Sequence, residues 1–298
     1  MKIKLFVKNL LIIFCSIIFL ECNSGHSPVS TPESKSEPLH LSLNKEDSLA
    51  IVAIYNKIGP WDNKWNLNNI QTWSGVNIAK EKNKNEYRII GFNYNGSFHG
   101  TIPEEFKQLT ELRNLGLGGG TLQGNIPSWI GDLKNLENLY IGYNSVSGNI
   151  PPEIGKLKKL NQLTIGNNLV SGELPEELGE LNNLEELTIM DTKISGQIPT
   201  SLGKLKKLKR LLLIRNKLTG KLPIEILSTS MMVNCQGNNI TELPIEVWSD
   251  ENNIYPPDLQ GNRLSGTIPE SIKKTKKWGK YSFCIGKQQK GFGYSNFK

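Results

Sequence analysis

The residues that could perform chemistry are few in this chain of 298 residues, and their spacing does not form a catalytic group. The histidines are His26, His40 and His99. His99 has no Ser or Cys partner at a fixed spacing, which a nucleophile and its base would need. Acidic pairs such as Glu176–Glu177 are adjacent in sequence and do not oppose each other across a cleft. We therefore expect no enzymatic activity, no cofactor and no metal site.

Phosphate and nucleic-acid binding are also disfavoured. The glycines at 118–120 open no helix after a strand, and no lysine motif follows them, as a phosphate-binding loop requires. The formal net charge is +7, from 35 Lys and Arg against 28 Asp and Glu. The surplus lies in recurring loop lysines such as Lys158 and Lys206, without the aromatic residues that stack on bases. We interpret it as solvated surface charge and expect no nucleic-acid partner.

Residues 1–22 have the pattern of a signal peptide. Lys2, Lys4 and Lys8 precede an apolar run over residues 10–20, which is shorter than the about 20 residues that a membrane span needs. Cys22 follows and resembles the lipidated first residue of a mature bacterial lipoprotein, although Glu21 stands where such signals have a small residue. We expect a lipid on Cys22 to anchor the protein at the cell envelope or surface. Secretion and an uncleaved N-terminal anchor are the alternatives.

Residues 23–44 are rich in Ser, Pro and other polar types (SGHSPVSTPESKSEP). Such a segment buries too little apolar surface to offset the cost of ordering it. We expect a flexible tether that holds the folded part of the chain away from the membrane.

An internal repeat of 24 residues organises the rest of the chain. Prolines preceded by Ile or Leu recur at this spacing from Pro103 to Pro223, and Pro244 and Pro269 continue the series. A fixed period between about 20 and 50 residues predicts a solenoid. Within each period the stretch equivalent to residues 139–141 alternates as a short strand does, so its leucines stack on those of the next coil. Asn144 and its equivalents follow the strand, where an amide can satisfy backbone groups of the turn.

These residues give the pattern LxxLxLxxNxLxGxIPxxLGxL, which resembles the plant-type subclass of the leucine-rich repeat family. The resemblance covers residues 88–272, about eight repeats, with local departures: Gly120 and Thr192 take the asparagine position in repeats two and five, and repeat seven is short. It implies an α/β-type solenoid, an arc with short parallel strands on its concave face. We expect Cys235 to be a buried free thiol that forms no bridge with Cys284.

The flanks of the repeats are expected to be caps, because the end coils of a solenoid lack a neighbour. Residues 45–87 resemble the N-terminal cap of bacterial relatives of the family. Their tryptophans, Trp61, Trp65 and Trp73, are expected to pack in the cap core, with a carbohydrate platform as the alternative. Residues 273–298 are expected to form a short strand cap.

The concave face is where we expect a partner to bind. Its outward positions include large side chains that the fold does not need, and exposed apolar groups often mark a partner site, although scattered ones are ordinary on surfaces. We expect a monomer that recognises a protein ligand. A structural envelope protein or a glycan binder is the alternative. The candidate contact residues in repeats three to six are Tyr140, Tyr143, Thr164, Asn167, Thr188, Met190, Asp191, Leu212, Ile214 and Arg215.

Overall fold

The computed structural model describes residues 42–297 except 60–64, 67–68, 228–230, 245–255, 269, 275–277 and 296. The chain divides into two units, Met1–His40 and Leu41–Lys298, and the described residues belong to the second. The signal peptide, Cys22 and nearly all of the tether predicted for residues 23–44 lie outside the described residues, as does Trp61. Among the described residues, no helix has the length and apolarity to cross a membrane.

The described part begins with helix α1 (Lys45–Ile58). The side chain of Asn44 caps this helix by accepting hydrogen bonds from the backbone N–H groups of Glu46 and Asp47, at 3.0 and 3.3 Å. A short 3₁₀ helix (Ile70–Thr72) and strand β1 (Val76–Lys80) follow. Strand β1 pairs antiparallel with β2 (Tyr87–Asn95), the strand of the first repeat. Together these elements cover the first coil.

Each coil from the second to the seventh contributes one strand to a parallel sheet, and the fourth to the seventh each contribute one strand to a second sheet. The first sheet continues from β2 through β3 (Asn114–Gly118), β4 (Asn138–Gly142), β5 (Gln162–Gly166), β7 (Glu186–Met190), β9 (Arg210–Leu212) and β11 (Met232–Asn234). The second sheet consists of β6 (Ser171–Glu173), β8 (Lys193–Gly196), β10 (Lys217–Lys221) and β12 (Asn239–Glu242). All described pairs between coils are parallel and the leucine rows are in register, as predicted for a solenoid.

The outer side of the coils is made of short 3₁₀ helices. They span Glu104–Gln108, Ser128–Asp132, Pro152–Lys156, Glu176–Glu180 and Thr200–Lys204, and α2 (Ile224–Leu227) takes their place in the next coil. Close approach of these turns requires a glycine. A Cβ atom on Gly155 would lie 2.6 Å from the carbonyl oxygen of Glu177 in the following coil. The glycine of the repeat therefore sets the spacing of the coils on this side.

An asparagine ladder holds successive coils together. The Asn144 side-chain N–H group donates to the carbonyl oxygens of Gly142 and Leu117, at 2.8 and 3.1 Å. Its oxygen accepts from the backbone N–H of Leu122 at 3.2 Å. Equivalent contacts to the preceding coil are made by Asn168, Asn216, Asn238 and Asn262. The expectation that this amide satisfies turn backbone and joins coils is confirmed.

Two repeats depart from the ladder in ways that the structure explains. In repeat five the Thr192 hydroxyl donates to the side-chain oxygen of Asn216 and accepts from the backbone N–H of Ile194 at 3.3 Å. In repeat two, a Cβ atom on Gly120 would lie 2.8 Å from the Cβ of Phe98. Phe98, which is fully buried, occupies the space that an asparagine would need.

The tryptophans of the N-terminal cap pack in its core. Trp65 and Trp73 retain 6% and 5% of their surface, and Trp65 stacks on both Tyr55 and Trp73 with ring centroids 5.1 and 5.8 Å apart. The Trp73 ring N–H donates to the carbonyl oxygen of Asn66 at 2.9 Å. The core interpretation is confirmed for these two residues, and the carbohydrate platform is wrong for them.

The C-terminal cap differs from the expected strand cap. It consists of helices α3 (Glu270–Lys273) and α4 (Trp278–Ile285), and only then strand β14 (Gly293–Tyr294), which pairs parallel with β13 (Ser265–Gly266). The helix can replace a strand because its end still pairs with the last coil. The backbone N–H of Leu259 donates to the carbonyl oxygen of Cys284 at 2.9 Å.

The thiols of Cys235 and Cys284 are both free, as predicted. The coil of Asp258 separates them, since the Cys235 backbone N–H donates to the carbonyl oxygen of Asp258 at 2.8 Å. Burial raises the pKa of the Cys235 thiol to about 12, so it behaves as a core residue.

Candidate functional site

The structure brings the ten predicted contact residues to one face of the parallel sheet. Those on β4, β5, β7 and β9 stand opposite one another in register, with the remaining residues at or just after the strand ends. Successive strands lie about 4.8 Å apart, so side chains of neighbouring coils touch. The middle row runs through Tyr140, Thr164, Thr188 and Leu212, and the others stand beside it.

Four of these residues have a left-handed backbone. The φ angles of Tyr143, Asn167, Asp191 and Arg215 lie between 51° and 54°. Glycine fills the equivalent position in other coils, for example at Gly237, where φ is 69°. This conformation costs a non-glycine residue about 1–2 kcal/mol, and Asn and Asp adopt it more readily than other types. Tyr143 and Arg215 thus occupy positions whose left-handed backbone disfavours their residue types.

Two ion pairs connect repeat five with repeat six on this face. Glu186, whose side chain is 3% exposed, accepts from the Arg210 Nε–H at 2.9 Å and from the Thr188 hydroxyl at 3.2 Å. Asp191 accepts two guanidinium N–H groups of Arg215. This hydrogen bonding raises the pKa of Arg215 above its ordinary value. Each charge at these four positions is compensated by its partner, so the surface between the pairs is nearly neutral.

An apolar surface lies between the two ion pairs, and we call it the apolar window: Met190, Leu212 and Ile214, with the buried Thr188 beside them. The expectation that the large side chains here are exposed is wrong for Leu212, which is 8% exposed, and Thr188 is only 4% exposed. Both stand in the middle row, with large side chains on the strand positions beside them. Met190 and Ile214 are half-buried. A ligand can therefore contact Met190 and Ile214, which are partly accessible, whereas Leu212 and Thr188 are buried.

The strands of repeats one to four present a different surface, which we call the amide floor. Its positions are Gly91, Asn93, Asn95, Asn114, Gly116, Gly118, Asn138, Tyr140, Gly142, Gln162, Thr164 and Gly166. None of these side chains is charged. The Asn138 side-chain N–H donates to the side-chain oxygen of Asn114 at 2.6 Å, which links adjacent coils. This group is not among the contact residues predicted as a site, although its amides and glycines recur one period apart in the sequence.

Side chains cover the glycines of the amide floor. A Cβ atom on Gly116 would lie 2.7 Å from the side-chain oxygen of Asn93, and one on Gly118 would lie 2.9 Å from the ring of Tyr140. The same ring stands over Gly142, and Met190 covers Gly166. The glycines therefore allow the neighbouring amides and the tyrosine to lie against the sheet, where they fill the space above the glycines.

The other residues considered for chemistry take structural positions. The Nδ1 atom of His99 lies 2.7 Å from the Thr121 hydroxyl in the turn of repeat one. The exposed Lys158 pairs with Glu180 of the next coil at 2.8 Å, which confirms that the loop lysines are solvated surface charge. In the described part of the chain, no group of three or more His, Cys, Asp or Glu side chains could hold a metal ion.

Coils of 24 residues, in-register parallel strands and an asparagine ladder define a leucine-rich repeat solenoid. Residues 87–279 match the family model described as a leucine-rich repeat region. The chain belongs to the leucine-rich repeat family, and the plant-type resemblance is confirmed by its structural neighbours.

Among solved structures, the chain is similar to the ectodomain of the receptor kinase GASSHO1/SCHENGEN3 from Arabidopsis thaliana, in complex with CASPARIAN STRIP INTEGRITY FACTOR 2. The identity is 27% and the TM-score 0.55, over 76% of this chain and 34% of that one. It is also similar to the PEPR1–AtPEP1 structure, with 28% identity and a TM-score of 0.52, over 61% and 33%. The chain thus spans about a third of the length of these two chains.

A plant ice-binding protein shares the fold over a larger part of both chains. Its TM-score is 0.68 at 23% identity, over 85% of this chain and 78% of that one. A comparison with curated proteins finds no match.

Proposed function

We propose that this chain is a binding module that takes an extended peptide, or a segment of a partner protein, on the concave face of repeats three to six. The observation that carries the proposal is the apolar window, a small apolar centre bordered by the Glu186–Arg210 and Asp191–Arg215 pairs. Binding hot spots have this arrangement, in which polar neighbours exclude water from a central apolar contact. The module acts by binding, and we assign no reaction to it.

The residues in and around the window indicate which side chains a bound peptide should carry. Both arginines are already paired, so a charged side chain of the ligand would gain little there without breaking an ion pair. Met190 and Ile214 are half-buried and would lose their remaining contact with water against an apolar ligand side chain. Tyr143, with its left-handed φ of 54°, would contact the same peptide further along the sheet. Met adapts its shape easily, which favours contact with more than one apolar side chain.

Two of the similar solved structures are complexes, which supports a binding role. The structures of PEPR1 and GASSHO1/SCHENGEN3 were solved with AtPEP1 and CASPARIAN STRIP INTEGRITY FACTOR 2. Their identity to this chain, 28% and 27%, does not extend that ligand to it, so the proposal rests on the window itself.

Panning a library of displayed random peptides against the repeat domain, residues 42–298, tests the proposal. We expect enriched peptides with apolar residues and saturable binding. Met190→Ala and Ile214→Ala should each weaken that binding by about 1–3 kcal/mol, the usual cost of truncating a central anchor. Lys158→Ala is the matched control, because Lys158 lies on the outer loops and pairs with Glu180.

Three outcomes would contradict the proposal. The library could yield no saturable peptide, the selected peptides could bind Met190→Ala and Ile214→Ala as tightly as the parent chain, or binding could depend on Lys158. The first outcome, together with retention on cell-wall material, would favour the structural envelope role.

We also propose that the module is exported and held at the envelope by a lipid on Cys22, with residues 23–44 as its tether. The basic start, the short apolar run and the Ser/Pro-rich segment support this. A Cys22→Ala variant should leave the membrane fraction and appear in the soluble one. A variant that stays membrane-bound would show that the N-terminal segment is itself the anchor.

A further inference from the structure

We infer that the amide floor is a second binding site, separate from the apolar window, and that its ligand is an uncharged carbohydrate. The inference rests on three features of repeats one to four: the absence of charge, the concentration of amides, and the position of the Tyr140 ring. Each restricts the chemistry of the ligand in a different way.

The absence of charge excludes ionic ligands as the intended partners. The floor positions on β2 to β5 hold only Asn, Gln, Gly, Thr and Tyr, whereas 21% of the whole chain is charged. The next two strands begin with Glu186 and Arg210. A phosphate, sulfate or carboxylate would lose its hydration on the floor without meeting a cation, which is unfavourable.

The amides favour a ligand that is dense in hydroxyl groups. Each Asn and Gln side chain offers two donors and one acceptor oxygen, and each sugar hydroxyl both donates and accepts. Asn93, Asn114, Asn138 and Gln162 place such groups on four successive strands. An apolar ligand would strip these amides of water without replacing the hydrogen bonds, which costs about 1–3 kcal/mol for each group left unsatisfied.

The shape of the floor distinguishes a sugar from a peptide. Because Asn93 and Tyr140 lie over Gly116 and Gly118, the space above these glycines is filled. Peptides gain their specificity on a sheet from pockets for alternate side chains, and the filled space above these two glycines offers none. A sugar ring needs only a flat bed of hydrogen-bonding groups and an apolar patch for its C–H groups. The half-buried Tyr140 ring supplies that patch at the centre of the floor.

A glycan array tests the inference. The repeat domain is applied to immobilised short neutral oligomers of glucose, mannose, galactose and N-acetylglucosamine, with sulfated and sialylated oligosaccharides for comparison. We expect saturable binding to at least one neutral series, unchanged between low salt and about 0.5 M salt, since no ion pair contributes. Binding to charged oligosaccharides in preference to neutral ones would overturn the inference, as would the lack of any saturable neutral ligand.

Variants then locate the site. Asn114→Ala combined with Asn138→Ala should weaken binding of the neutral oligosaccharide about tenfold or more, and Tyr140→Ala should do the same. If the double variant melts at a lower temperature than the parent chain, Gln162→Ala gives a second reading with no paired side chain removed. Equal binding by all of these variants would contradict the inference.

Ile214→Ala separates this site from the proposed peptide site, since Ile214 belongs to repeat six, whereas Met190 lies over Gly166 of the floor. This variant should weaken the selected peptides and leave the oligosaccharide unaffected, whereas Asn114→Ala, in repeat two, should do the reverse. The failure of one site is therefore distinguishable from the failure of the other.

Discussion

Strands β4 and β7 show how one backbone supports two kinds of surface. Their inward residues are alike, Leu139 and Ile141 against Leu187 and Ile189, and all four are at most 2% exposed. The residues on the concave side differ in chemistry: they are Asn138, Tyr140 and Gly142 on β4, and Glu186, Thr188 and Met190 on β7. The leucine core therefore leaves the chemistry of the concave face undetermined.

The two surfaces differ in what they contribute to the fold. Beside the window, Glu186 and Arg210 connect two coils through a carboxylate that is 3% exposed, so these residues also stabilise the solenoid. On the floor, the link between Asn114 and Asn138 joins neutral groups that water can satisfy equally well. The amide positions of the floor are thus less restricted by the fold than the charged positions around the window.

The largest effect is expected at the cap beside the floor. The Asp47 side chain, 0% exposed, accepts hydrogen bonds from Arg88 at 2.9 and 3.0 Å and from the Ile89 backbone N–H at 2.7 Å. Asp47→Ala leaves these donors unpaired and should lower the free energy of unfolding by about 3–5 kcal/mol. Hydrogen exchange should rise first in β2 and β3 and last in β7 and β9.

The control for this variant is Asp47→Asn, which keeps the size and one acceptor and should cost less. If protection from hydrogen exchange falls equally in all the coils, the coils under the floor and those under the window unfold together, and the idea that the two ends differ in local stability is wrong. Denaturant melts and exchange monitored by mass spectrometry give both readings.

Arg210→Ala should have the next largest effect. It leaves the Glu186 carboxylate nearly buried without its guanidinium partner, and we expect a loss of about 1–3 kcal/mol in the free energy of unfolding. The estimate is below that for Asp47 because the Arg210 side chain is 42% exposed. Asn138→Ala on the floor is the matched comparison and should change stability by less than about 0.5 kcal/mol. If both variants lose the same free energy of unfolding, the residues around the window contribute no more to the fold than those on the floor.

Tyr143→Gly should leave the fold as stable as before or stabilise it by up to about 1 kcal/mol. The left-handed φ of 54° costs a tyrosine energy that glycine does not pay, although glycine also loses more entropy on folding. The same variant should weaken the selected peptides by about 1–3 kcal/mol. Tyr143→Ala keeps the backbone penalty and serves as the control. A Tyr143→Gly chain that melts much earlier would mean that the side chain serves the fold rather than a ligand.

The smallest effect is expected on the outer loops. Lys158 holds the pKa of Glu180 below its ordinary value through a hydrogen bond, so the pair stabilises the fold above the ordinary pKa of glutamate. That contribution is lost as the pH falls through the folded pKa of Glu180. Lys158→Ala should therefore melt slightly earlier than the parent chain at neutral pH, and the difference should vanish in acid. If the difference in melting temperature persists in acid, it does not arise from the Lys158–Glu180 pair.

The sequence predicts the repeat features well because they recur. The 24-residue period identifies the solenoid, the inward leucines, the ladder asparagines and the face on which the contact residues lie. Opposite charges exactly one period apart, at Glu186 and Arg210 and again at Asp191 and Arg215, also signal the two ion pairs, although the sequence analysis did not use that spacing. Features that repeat from coil to coil are therefore accessible without a structure.

The features that the sequence analysis missed depend on contacts that do not repeat. Leu212 is buried because of the side chains around it, and its own outward position in the pattern predicts the opposite. The C-terminal helix Trp278–Ile285 forms where the period has ended, so the repeat gives no information about it. Lipidation of Cys22 and the tether remain predictions, since they lie outside the described residues.

The asparagine ladder has a consequence for how such a chain can change its length. Asn144, Asn168 and Asn216 each donate to a carbonyl 27 positions earlier, so these coils make the same connections to their neighbours. Removal or duplication of one 24-residue coil that carries the asparagine would restore the ladder bond at the new junction. Asn238 in the short repeat seven reaches back 25 positions instead, and it marks a junction that is not interchangeable with the rest. Growth by recombination is therefore expected between coils three and six, within the stretch that joins the amide floor to the apolar window.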